Sequence, residues 1–176
     1  MATEDYFWGK LKNISKFPAC FGIIFFFAFA ALSAEASSRA AQKRSQGDVR
    51  TLAVAVQCYS VDWDSYPDTG GKVIPFQEIN SLPTIKNKIV PDYLREFVPK
   101  DGWQKGPYYY VSNGKHFVIY CLGSDGRADK DLDVIIKQHL DGGKLEYTKT
   151  GCYENDIAWG DDAFIRAPEG PQKHCK

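Results

Sequence analysis

Neither sign of charge is in excess in this chain: 22 basic and 22 acidic side chains cancel over 176 residues. That absence excludes a protein that coats nucleic acid, because neutralising phosphates requires a cationic surplus. It also excludes a disordered acidic chain. Histidine is limited to three residues, His116, His139 and His174, and none lies in a His-Glu-x-x-His pattern. Gly-x-Ser-x-Gly and Cys-x-x-Cys are missing as well. The signatures of zinc proteases, serine hydrolases and paired-thiol centres are thus absent. The histidines read as packing or surface residues, and Asp161 and Asp162 as turn residues. Without geometry, a carboxylate pair for glycoside cleavage identifies nothing. The expectation is a protein that is not an enzyme.

What is present is unevenly placed. Residues 1–60 carry seven basic and four acidic groups, residues 61–119 seven of each, and residues 120–170 six basic and eleven acidic groups. The cationic end holds the one long apolar run, Phe17 to Ala34, which has no charged residue between Lys16 and Glu35. At about 1.5 Å per helical residue, eighteen such residues are just long enough for a hydrocarbon layer of about 30 Å. Lys10, Lys12 and Lys16 precede it, which predicts a cytoplasmic amino end and an exported remainder. Two readings stand: a retained membrane anchor, or a removable signal segment with the small-residue cleavage pattern Ala34-Glu35-Ala36. The chain then divides into a cytoplasmic segment (1–16), a membrane-spanning or signal-like segment (17–36) and a globular domain with a carboxyl-terminal extension (37–176).

From Arg39 to Trp63 there is no proline, and Val49, Leu52, Ala53, Val56, Tyr59 and Trp63 recur at helical spacing. Val54, Cys58 and Val61 make a second apolar strip on the opposite side. It is covered either by the loop from Asp68 to Pro99 folding over it or by a neighbouring subunit. Pro67 with Gly70 and Gly71 ends the helix. The proline-spaced connector that follows contains one short helical candidate, Pro91 to Phe97, with Tyr93, Leu94 and Phe97 facing inward.

Pro107–Val111 and His116–Leu122, joined by Ser112-Asn113-Gly114-Lys115, read as an antiparallel hairpin. A third strand, Ala163–Arg166, has Asp156–Trp159 as its partner. One long amphipathic helix on a small antiparallel sheet is an α+β fold with a single pair of layers. Between the strands runs an acidic loop with Asp125, Asp129, Asp131 and Asp133, echoed later by Glu154-Asn155-Asp156. Clustered carboxylates in a glycine-containing loop suit either solvent or a hard cation such as Ca²⁺. The spacing is not an EF-hand, since a frame begun at Asp129 puts Val134 at the glycine position and Leu140 at the bidentate glutamate.

The helix segment Asp48 to Tyr59, ending in Ser65-Tyr66-Pro67, resembles that of type II secretion major pseudopilins and related type IV pilin-like proteins. Val98-Pro99-Lys100-Asp101-Gly102-Trp103 through Pro107-Tyr108-Tyr109-Tyr110 is similar to their Pro-Lys-Asp-Pro-Trp-Gly-x-Pro-Tyr-x-Tyr segment. Gly114-Lys115-His116-Phe117, Leu122-Gly123-Ser124-Asp125-Gly126 and Asn155-Asp156-Ile157 complete the order. The likeness covers about residues 39–170. It implies a long amino-terminal helix, half in the inner membrane and half against a short antiparallel sheet, with the globular part periplasmic or extracellular. It also implies a structural subunit assembling with like or unlike pilin-like subunits, held to the membrane through residues 17–34 and free of nucleic acid. The alternative is a secreted, monomeric pilin-fold binding module. By resemblance the loop binds calcium through a carbonyl near Leu122 and through Asp125 and Asp156, with Asp129, Asp131 and Asn155 as further donors. In one respect the chain departs from that family. Counted from Phe17, the fifth residue is Phe21 where relatives have glutamate.

Export would allow Cys58, Cys121, Cys152 and Cys175 to pair, in three combinations that sequence does not separate. A clamp between Cys152 and Cys175 on the carboxyl-terminal extension is favoured; free buried thiols and a Cys58 link between chains are the other readings.

Overall fold

The computed structural model describes residues 17–98, 100–142 and 147–175, with side chains from Glu35 onward. Two compact units result, Met1–Ser37 and Ser38–Lys176. The segment 1–16 and Pro99 lie outside the described residues, as do the side chains of the apolar run from Phe17 to Ala34. The membrane-span expectation therefore falls on side chains that are not described. Among the described residues, no helix is long and apolar enough to cross a membrane.

Helix α1, Phe17–Trp63, ends where the sequence predicts, at the turn before Pro67. Val49, Leu52, Ala53, Val56 and Tyr59 are all buried on its inner face. After α1 come β1 (Ile74–Pro75), a 3₁₀ turn (Phe76–Ser81) and the four-residue helix α2 (Ile89–Asp92). The helix expected over Pro91–Phe97 is thus displaced. It starts at Ile89 and is over by Tyr93, with Val90 in an extended conformation within it. Tyr93, Leu94 and Phe97 pack against the core as expected.

The expected hairpin is β2 (Tyr109–Ser112) and β3 (Phe117–Cys121), in the register Tyr110 opposite Ile119. Then follow α3 (Leu132–Leu140), β4 (Thr148–Cys152), β5 (Ile157–Gly160) and β6 (Ala163–Lys173). The six strands lie in the order β1-β2-β3-β5-β6-β4, antiparallel except for the β4–β6 pair. This is the expected α+β fold, but with three layers in place of two. Alternate residues of β3 serve opposite faces. Phe117, Ile119 and Cys121 join Tyr110, Ile157 and the inner face of α1, whereas Val118 and Tyr120 join Val111, Ala158 and Ile165 under Leu132 and Ile136 of α3. All five residues of β3 are consequently buried. The third layer escapes the sequence reading because α3 spans only nine residues and sits inside a segment dominated by aspartates.

The second strip of α1 is not covered by the connector. Val54 is 47% exposed and Val61 80%, and Cys58 is exposed beside them. The connector packs its apolar residues Phe76, Ile79 and Ile89 against the inner core instead.

Candidate functional site

The acidic loop is organised by its shortest-range chemistry. Asp156 is fully buried at the start of β5, and its two oxygens accept the Gly123 amide at 3.3 Å and the Asp129 amide at 2.7 Å. Asp129 reciprocates, its Oδ2 accepting the Asp156 amide at 3.0 Å and the Asn155 side-chain amide at 3.2 Å. The loop approaches so closely here that a Cβ on Gly123 would lie 1.9 Å from the Glu154 carbonyl oxygen, a contact only glycine allows. Burial pushes the Asp156 carboxyl up to about 7; the amide from Asp129 opposes this, and the negative charge of Asp129 reinforces it.

Arg166, on β6, supplies positive charge to the same loop. Its guanidinium reaches Asp129 at 3.2 Å and Asp131 at 2.9 Å and is almost wholly buried. The Arg166 hydrogen bond holds the Asp131 carboxyl below its ordinary value. Of the six predicted calcium donors, then, the structure joins Asp129, Asn155 and Asp156 directly, brings the Leu122–Gly123 peptide to Asp156, and connects Asp131 through Arg166. Asp125 is exposed, and its Oδ1 accepts the Arg127 amide within its own turn. Arg166 was not foreseen, because an arginine 35 residues beyond Asp131 on a separate strand leaves no signal in local spacing.

For a hard divalent cation the donor chemistry fits in kind: carboxylate, amide and carbonyl oxygens, without sulfur or imidazole. Each Asp156 oxygen uses one lone pair on an amide and keeps a second. Arg166 is a built-in competitor, because it already balances Asp129 and Asp131.

Two other donor groups converge among the described residues. Cys152, Glu154 and Cys175 form one, but the two sulfurs are joined as the disulfide that ties β4 to the carboxyl-terminal extension. Cys121 is a free buried thiol and Cys58 a free exposed one. The other group is His116, His139 and Asp161, of which the sequence predicts the histidines as packing or surface residues and Asp161 as a turn residue. Burial alone would raise the Asp161 carboxyl, yet the His139 ring beside it, the hydrogen bond with His116 and the Phe117 amide hold it below its ordinary value.

The segment carrying the Lys-Asp-Gly-Trp motif is likewise explained by geometry. Buried Asp101 accepts the amides of Lys105 and Gly106, closing the turn, while the Gly102 amide donates to Ser45 Oγ of α1 at 2.9 Å. Tyr108, one strand-length on, donates to Asp48 at 2.7 Å. The motif therefore buttons the connector to the helix.

Residues 33–138 match the family model described as type II secretion system (T2SS), protein G. Over 96 residues the chain is 32% identical to the type II secretion system core protein G of Pseudomonas aeruginosa strain PAO1, a match covering 51% of this chain and 66% of that protein, just under two thirds of its length. A helix buttoned to an antiparallel sheet by the same ordered motifs that the family model covers leads to one assignment: the chain belongs to the type II secretion system protein G family.

Proposed function

We propose that this protein is a non-enzymatic pseudopilin: a structural subunit that assembles with other pilin-like subunits into a type II secretion filament. Residues 17–34 hold it in the inner membrane, and its Ser38–Lys176 unit is displayed outside the cytoplasm. Family membership carries the reading. The exposed strip Val54, Cys58 and Val61, on the side of the helix away from its buried face, supports it. Such a strip is left for a neighbour, because burying apolar surface contributes about 25 cal/mol per Å².

Within this reading a Ca²⁺ ion stabilises the acidic loop. The Leu122 carbonyl, Asp125, Asn155 and Asp156 are its donors, and Asp129 and Asp131 are shared with Arg166. The ion supplies positive charge to a loop whose buried Asp156 otherwise favours its protonated form.

The absence of a glutamate at Phe21 favours a second reading, a secreted monomeric module freed by cleavage after Ala36. The mass of the mature amino terminus from the native host separates the two. A chain retaining Phe17 to Ala34 supports the subunit, whereas one beginning at Ser37 removes it.

A further inference from the structure

We propose that His116, His139 and Asp161 form a binding site for a transition-metal dication, Zn²⁺ by preference, distinct from the acidic loop. The three residues come from the start of β3, the last turn of α3 and the turn between β5 and β6. His116 Nδ1 lies 2.8 Å and His139 Nε2 3.2 Å from the same oxygen, Asp161 Oδ2. All three ligand atoms fall within 4.8 Å of one another. In a tetrahedral zinc site with bonds near 2.0–2.2 Å, the edges between ligand atoms are about 3.3 Å, so little movement is needed to admit the ion.

Hydrogen bonding alone leaves this cluster incompletely explained. His139 Nε2 is buried yet makes no hydrogen bond of acceptable geometry, although Asp161 Oδ2 is close. Two ring nitrogens are directed at one carboxylate oxygen while the other oxygen, Oδ1, is occupied by the Phe117 amide at 2.9 Å. Backbone contacts fix Asp161 in place: its carbonyl accepts from Gln57 Nε2 at 2.6 Å and from Trp159 Nε1 at 3.3 Å. Metal ligands are typically oriented by such outer partners. Room is provided by Gly160, where a Cβ would stand 2.6 Å from His139 Nε2. Borderline imidazole nitrogens with one carboxylate select zinc-like ions over calcium, which takes six or more oxygens. The His116 side chain is 36% exposed, which gives the ion a way in and leaves a fourth position to water. A bound ion would pin the end of α3 to the sheet it covers.

The test is calorimetric titration of Zn²⁺ into the metal-stripped full chain in detergent, with millimolar Ca²⁺ present to saturate the acidic loop. One equivalent with a micromolar or tighter Kd is expected. His116→Gln and His139→Gln should each weaken it at least about tenfold, since even outer-shell substitutions cost 10–100-fold, while His174→Gln leaves it unchanged. Circular dichroism checks that each variant is folded. Co²⁺ added to the unaltered chain provides an independent reading: intense visible bands of a four-coordinate ion support the site, and weak octahedral bands remove it. Absence of saturable Zn²⁺ binding, or an affinity in the histidine variants equal to that of the unaltered chain, also overturns the proposal.

Discussion

Asp156 carries two opposed influences on one carboxyl. Its amide hydrogen bonds favour the ionised form, while burial and the charge of Asp129 favour the protonated one. In the unfolded chain the group titrates near 3.8, and in the fold near 7. Between those values the folded state binds more protons, so the stability contributed by the protonated group is complete below about pH 4 and is lost as pH rises through about 7. Urea unfolding of metal-stripped protein is thus expected to show falling stability from pH 5 to pH 7.5, a trend that Asp156→Asn removes. An unchanged slope in that variant rules the assignment out. Asp161 works in the opposite sense. Its depressed carboxyl adds stability above about pH 4 that disappears on further acidification. Because Ca²⁺ requires ionised carboxylates, the rise in melting temperature that it produces should be larger at pH 8 than at pH 6.

Arg166 shows how an element can be held by one side chain. Strand β6 delivers a buried guanidinium to Asp129 and Asp131 in the loop ahead of α3. Removing the cation strands two carboxylates, and because Asp131 is 58% exposed the cost is set below that of a fully buried pair, at about 2–3 kcal/mol for Arg166→Met. The same substitution removes calcium's competitor, so chelation should lower the melting temperature of Arg166→Met more than that of the unaltered chain. A melt insensitive to chelator in both proteins would eliminate calcium from the loop. Beginning on the neighbouring strand β4, the Cys152–Cys175 bridge closes a separation of 23 residues. Its loss in Cys175→Ser is expected to cost about 2–4 kcal/mol in chemical denaturation.

At the scale of the whole molecule the question is what the outer side of α1 meets. Val54→Asp with Val61→Asp changes residues that are exposed in the isolated unit, so unfolding free energy should move by no more than about 0.5 kcal/mol. Assembly should respond quite differently. Oxidation through Cys58 in membranes from the native host is expected to give disulfide-linked dimers, and the double variant should abolish them. Dimers that persist in the double variant would show that the strip does not face a neighbour.

The inner stripe of α1 and the hairpin were legible in the sequence, because helical spacing, strand alternation and turn chemistry are local and repeat at fixed periods, whereas the Cys152–Cys175 pair was favoured among alternatives that only the structure separated. The acidic loop was legible as a concentration of charge. Its partner was not, because Arg166 meets Asp131 only after the sheet has brought β6 beside it. Helix α3 was hidden by the aspartates around it, and with it the third layer and the position of His139. The grouping of His116 and His139 on Asp161 depends on three separated elements meeting at one end of the sheet. The sequence determined which faces must be buried and where the chain must turn. Only the tertiary structure decided which charges and imidazoles meet, since those meetings are set by strand order and register, which no local pattern encodes.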